Sequence, residues 1–310
     1  MTTPLAVAPT HRPKQIAYLG TPQAAVLPLQ ELVRAGFEVV HVVTRADKRR
    51  GRGGASAPSP VKAAAVELGL AVSHSVDDLL GTDVELAVVV AFGQLIKRHV
   101  LEVVPMVNLH FSLLPRWRGA APVERALLAG DTTTGVCLMR VDEGLDTGDV
   151  FGCSPVAIGP RVTAEALRGQ LVEAGTRLLI DSLAAGLGPA EPQHGEATYA
   201  AKIDLAELRL DWERPAAELD RVVRVGGAWT TFRGRRLKVL EAEPTEPAEP
   251  APSVDVAAGV LAGDVVGTGG QGAADGLRLL RVQPEGKAPM TFAAWANGAR
   301  PQPGEALGGG

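Results

Sequence analysis

Apolar runs punctuate the first half of the chain at the spacing of alternating strands and helices. Residues 15–19 form a short apolar run, and Gly20-Thr21-Pro22 turns it into a helix expected over 24–35, which Gly36 ends. Residues 39–44 make a second strand. Strand, helix and strand at this spacing form a βαβ unit and predict a parallel sheet. Ser59-Pro60 opens another helix, over about 60–68, with serine as cap and proline at its first position. Residues 71–73 read as a short strand. Residues 86–92 are a continuous apolar run, as expected of a strand buried on both faces. Two more strands are predicted over 135–141 and 150–158. Thr163 caps a long helix to about 185, with Leu167, Leu171, Leu178 and Leu179 as its apolar stripe.

The pattern changes after residue 186. Glycine, proline and polar residues dominate 186–197, a shift that marks a domain boundary. A helix follows over 215–224. Short runs at 229–233, 236–242, 259–266 and 276–284, separated by turns, suggest a small β-barrel. The Pro/Glu/Ala stretch 243–253 reads as an extended solvated insert. The expected layout is a loose arm over 1–14, an α/β catalytic domain over 15–187, a linker over 188–207 and a barrel domain over 208–310.

One strand breaks the apolar rule. Val107, Leu109 and Phe111 alternate with Asn108, His110 and Ser112, so the three polar residues share one face. A buried polar group without a partner costs roughly 1–3 kcal/mol. Either this is an edge strand with its polar side in water, or its C-terminal end opens into a cleft, where open α/β sheets bind ligands. Leu113-Leu114-Pro115 ends the strand. Downstream lie Asp142, Glu143, Asp146 and Asp149, with Gly144 and Gly148 between them. Three readings stand: a solvated acidic turn, a cation site (though without the spacing of a calcium loop), or a carboxylate that orients His110. Asn and His can donate hydrogen bonds to a developing oxyanion, and Asp can fix a His tautomer and help move a proton. With no plausible Ser or Cys nucleophile, this trio suits acyl transfer to a substrate amine without a covalent enzyme intermediate.

Composition narrows the field. Hydrophobic residues make up 46% of the 310, which excludes global disorder. No apolar run reaches the length of a membrane span, and residues 1–13 hold no apolar signal core. Cys137 and Cys153 lack metal-ligand spacing and are expected as buried thiols rather than a disulfide. These features suit a cytoplasmic protein. The Gly20 turn lacks the Gly-x-Gly-x-x-Gly pattern, so a dinucleotide site is poorly supported. A net charge of −4 excludes a generic polyanion binder, and any nucleic-acid contact must come from local patches. One patch holds Arg45, Lys48, Arg49, Arg50 and Arg52 among glycines. A second holds Arg221, Arg224, Arg233, Arg235, Arg236 and Lys238. Each is either a solvated charge run or a phosphate grip.

The ordered motifs Asn108-x-His110-x-Ser112-Leu113-Leu114-Pro115, Arg116-Trp117-Arg118-Gly119-Ala120-Ala121-Pro122 and Gly144-Leu145-Asp146-Thr147-Gly148 resemble the formyltransferase family that uses 10-formyltetrahydrofolate. The form of the second motif is similar to its methionyl-tRNA branch. The likeness runs from about residue 15 to 308. It implies a Rossmann-like domain with a parallel-rich sheet, then a small OB-like β-barrel. It implies Asn108, His110 and Asp146 as catalytic residues, and Ser112, Leu113, Leu114, Pro115, Phe92 and Gly93 at the folate. It implies initiator methionyl-tRNA as partner, gripped by Arg45, Lys48, Arg49, Arg50, Arg52, Arg224, Arg235 and Lys238. The co-substrate is 10-formyltetrahydrofolate, and neither a metal nor a tightly bound cofactor is expected. Two departures stand out. Gly54 and Ala55 take the place of lysines usual after the loop arginine, and the turn between Arg224 and Trp229 is short. Within the family, sugar-nucleotide formyltransferases are the nearest rival. A non-catalytic RNA-binding protein on the same frame is the rival from another class.

Overall fold

The structure is a computed structural model that describes residues 3–49, 56–245, 256–269, 275–302 and 304–309. It divides into two compact units. The first comprises Met1–Val123, Thr133–Ile158 and Ala166–Ala201, and the second Glu124–Thr132, Gly159–Glu165 and Lys202–Gly310.

The first unit is built on a seven-stranded sheet. Its strands are β1 (Gln15–Gly20), β2 (Glu38–Val43), β3 (Val72–Ser73), β4 (Leu86–Val90), β5 (Met106–His110), β6 (Thr133–Arg140) and β7 (Val150–Ala157), in the order β7-β6-β5-β4-β1-β2-β3. Pairing is parallel from β3 through β5 and antiparallel where β6 and β7 extend the sheet. Every residue of β4 is buried, which explains its unbroken apolar run. Helix α1 (Val26–Arg34) and helix α2 (Pro60–Glu67) pack on the sheet, and Ser59 caps α2 by accepting a hydrogen bond from the Lys62 amide.

Two expectations fail here. The N-terminal arm is not loose. The Ala6 amide donates to the Leu101 carbonyl at 2.8 Å, and the Arg12 guanidinium lies 4.4 Å over the Phe37 ring. Cys137 and Cys153 are not separate thiols: they sit directly opposite each other on antiparallel β6 and β7, with Cα atoms 4.1 Å apart, and form a disulfide. Residue spacing alone does not reveal strand register, so the sequence hid this pairing.

The second unit holds β8 (Trp229–Phe232), β9 (Arg235–Pro244), β10 (Leu261–Ala262), β11 (Val265–Gly267), β12 (Gly276–Pro284) and β13 (Met290–Thr291) in one antiparallel sheet. The order is β8-β9-β12-β11-β10, with β13 on β12. Val239, Leu279, Val282, Leu219, Trp212 and Trp295 form its core. Residues 305–309 reach both sheet edges. Leu261 in β10 donates to the Glu305 carbonyl at 2.9 Å, and Gly308 donates to the Thr231 carbonyl in β8 at 2.9 Å. This strap satisfies edge groups that a sheet otherwise leaves open. Most of the expected insert lies outside the described residues, and its first two residues, Glu243 and Pro244, end β9.

Candidate active site

The site forms where β5 ends. Alternation along β5 turns Asn108 and His110 to the same side, toward a cavity of about 650 Å³ within the first unit. Phe92, Gly93, Asn108, His110, Gly119, Asp142 and Asp146 are among its lining residues. The cleft reading of the polar strand therefore holds, and the edge-strand reading fails, because β5 is flanked by β4 and β6.

The acidic loop sorts its carboxylates by partner. Asp142 Oδ1 accepts the Gly144 amide at 3.0 Å and the Thr147 hydroxyl at 2.7 Å, which folds the loop on itself. Glu143 pairs with Arg98 at 2.7 Å, and Asp149 with Arg140 at 3.0 Å. Asp146 is turned inward. Its Oδ2 accepts the Gly119 amide at 2.8 Å and lies 3.5 Å from His110 Nδ1. Reaching that position puts Asp146 in the left-handed region, φ 52°. Of the three readings of this loop, the orienting carboxylate is the one the geometry favours.

His110 is 5% exposed and lies between the Asp146 carboxylate and the Trp117 carbonyl. Nε2 lies 2.9 Å from the Trp117 carbonyl, an acceptor, so Nε2 carries a proton and donates it there. Trp117 reaches this place through a left-handed φ of 62°. Its own amide donates to Thr198 Oγ1 at 2.9 Å. The Asn108 side chain faces the cavity and has no hydrogen-bond partner among the described residues. The two groups expected to share an oxyanion role thus differ: the Asn108 amide is available, whereas the His110 Nε2 proton is already committed.

Comparison with known proteins places the chain. The model of the family described as "Formyl transferase" matches residues 14–183, and that of "Formyl transferase, C-terminal domain" matches 202–300. The chain belongs to the formyltransferase family. A methionyl-tRNA formyltransferase of Symbiobacterium thermophilum is 43% identical over 311 residues, covering 94% of each chain. One of Dinoroseobacter shibae is 43% identical over 289 residues, covering 86% of this chain and 97% of its own. Among solved structures, WlaRD, a sugar 3N-formyl transferase in the presence of dTDP and 5-N-formyl-THF, superposes with a TM-score of 0.66 at 18% identity. That match covers 88% of this chain and 98% of the other, and shows a shared fold.

In this formyltransferase the remaining expected site residues divide. Phe92 and Gly93 line the cavity, in a turn where Gly93 takes φ 70°. Ser112, Leu113, Leu114 and Pro115 do not line it. Ser112 is fully buried and donates to the Arg116 carbonyl at 2.5 Å, and Leu113 packs on Gly135. They shape the turn that carries Trp117 to His110. Arg45 is exposed, with Nη2 3.7 Å from where a Cβ on Gly93 would lie. Lys48–Arg49 pairs with Ser56–Ala57, while Arg50 and Arg52 lie outside the described residues. Arg235 and Lys238 are exposed on β9. Arg224 corrects the sequence reading. Its side chain is 13% exposed; Nε pairs with buried Asp220 at 2.7 Å and Nη1 donates to the Val162 carbonyl at 3.1 Å. A guanidinium so engaged has little left to offer a phosphate.

Sequence reasoning missed the segment 191–200, taken for linker. Glu191 exchanges two backbone hydrogen bonds with Val150, and Tyr199–Ala200 pairs in parallel with Arg118–Gly119. Gln193 and Thr198 within it bear on the site loops. The Gly/Pro-rich composition of the stretch hides them, because no periodicity marks a polar residue that fastens one loop to another.

Proposed function

We propose that the protein transfers the formyl group of 10-formyltetrahydrofolate to the amino group of initiator methionyl-tRNA. The observation that carries this reading is the pairing, on one cavity wall, of an available Asn108 amide with the buried His110 ring and the partly buried Asp146 beside it. Similarity at 43% identity to proteins named for this reaction supports the substrate.

The amine nitrogen attacks the formyl carbon, and its carbonyl oxygen gains negative charge. Asn108 donates its amide N–H to that oxygen, a contact worth roughly 3–4 kcal/mol of barrier. Attack also makes the nitrogen acidic. Asp146, oriented by the Gly119 amide, lies beside His110 Nδ1, and this couple passes the amine proton toward N10 of the leaving folate. The C–N bond to N10 then breaks. Trp117 fixes the His110 ring, which keeps Nδ1 facing Asp146. Phe92 and Gly93 wall the folate, with Ser112 to Pro115 acting from beneath. Arg45, Lys48, Arg49, Arg50 and Arg52, together with Arg235 and Lys238, draw in the tRNA backbone. No described helix is long and apolar enough to cross a membrane.

The test is to incubate the protein with 10-formyltetrahydrofolate and either charged initiator tRNA or a dTDP-amino sugar. Formyl-methionine on the tRNA, with the sugar unchanged, is the expected result. Formylation of the sugar alone would transfer the assignment to the rival branch.

A further inference from the structure

We propose that Gln193 is a positioning residue that clamps the acidic loop so that Asp146 stays on His110. The proposal rests on the formyl-transfer reading above for its kinetic arm only.

Gln193 is half-buried and stands outside the cavity wall. Its side chain spends its whole polar capacity on two loops. Oε1 accepts from Arg118 Nη2 at 2.7 Å and Nε at 3.1 Å. Nε2 donates to the carbonyls of Asp146 and Gly148, each at 2.8 Å. Only this orientation of the amide works. Turned over, it would set NH₂ against a guanidinium and oxygen against two carbonyls.

The two loops so joined are the ones that meet at Asp146. The carbonyl that Gln193 holds belongs to Asp146 itself, whose φ of 52° is a conformation a non-glycine residue keeps only when its surroundings enforce it. Beyond Gln193 stands Arg118, and the next residue, Gly119, donates its amide to the Asp146 carboxylate at 2.8 Å. Arg118, Gln193 and Asp146 therefore close a ring: one side grips the backbone of Asp146, the other its carboxylate. Gln193 is itself anchored, since Glu191 pairs with Val150 and Thr198 with Trp117. The geometry gives it a task that packing alone does not require.

The substitution Gln193→Glu separates these roles. Q193E keeps the length and the bond to Arg118, but turns oxygen toward the Asp146 and Gly148 carbonyls and releases the loop. The expected result is a drop in single-turnover formyl transfer of roughly 10–100-fold, the scale of a misplaced catalytic group. KM for both substrates stays near wild type, and the melting temperature falls by no more than a few degrees. In a D146N background, Q193E adds little further loss, because both changes act through one group. Additive losses, or near-normal turnover by Q193E, would overturn the proposal.

A second arm needs no substrate. Ring ¹⁵N spectra of uniformly histidine-labelled protein, with the His110 signals assigned by H110Q, should move in Q193E toward their positions in D146A. Unmoved His110 signals would sink the proposal even in an active enzyme. A wild type that fails to formylate tRNA, while Q193E still moves those signals, would instead count against the functional reading and leave the clamp standing.

Discussion

Gly148 offers a sharp perturbation of the acidic loop. It follows Asp146 by two residues, and a Cβ added there would lie 1.9 Å from the backbone oxygen of Arg140. Ordinary contact begins at 3.4 Å, so the loop or the end of β6 must give by well over an ångström. Neither yields easily. The Arg140 amide donates to the Asp149 carbonyl at 2.8 Å, and Gln193 holds the Gly148 carbonyl from the other side. Overpacking of this kind costs about 1–3 kcal/mol of stability. The larger effect falls on catalysis, because a shift of about 1 Å at a reacting group can cost on the order of 100-fold in rate. G148A is thus expected to fold, to melt a few degrees lower, and to lose roughly 100-fold in single-turnover formyl transfer. G144A is the control. Its Cβ would press on the Thr147 side chain and disturb the Asp142–Thr147 bond within the loop, not the fixed Arg140 carbonyl, so its loss should be smaller than that of G148A. Turnover by G148A equal to wild type would refute the claim that this loop's placement governs the rate, and equal losses in both variants would refute the argument from the fixed carbonyl.

Two further outcomes concern the basic residues. R224A should lower stability by roughly 1–2 kcal/mol, measured by urea titration, because it strips one of two guanidinium partners from buried Asp220 and leaves Arg161 at 3.0 Å, and the salt slope of tRNA binding should stay unchanged. A flattened slope in R224A would return that residue to the tRNA. R235A and K238A, exposed on β9, should each weaken tRNA binding about equally across sequences and reduce the slope of log K against log salt by about one. Unaltered binding at low salt would leave β9 as a solvated face.

Much of the first unit was legible from periodicity. The all-apolar run of β4 and the βαβ spacing at β1 and β2 encode a parallel sheet because burial on two faces demands such runs. Asn108 and His110 stood out because a polar face within a sheet is costly unless it serves a cavity. What stayed hidden depends on register and on distant partners. Cys137 and Cys153 meet only because β6 and β7 pair in one register. Gln193 meets Asp146 across a sequence gap that no local pattern spans. Arg224 did carry a signal, since Asp220 lies four residues earlier on helix α3 (Ala216–Val225), at ion-pair spacing on one helix face.

The most direct measurement is the rate of a single turnover by N108A with saturating 10-formyltetrahydrofolate and charged initiator tRNA. Asn108 is the cavity amide assigned to the oxyanion, so its loss should slow that turnover by about 100–1,000-fold, with the binding of both substrates little changed. A single-turnover rate within a few-fold of wild type would contradict the account.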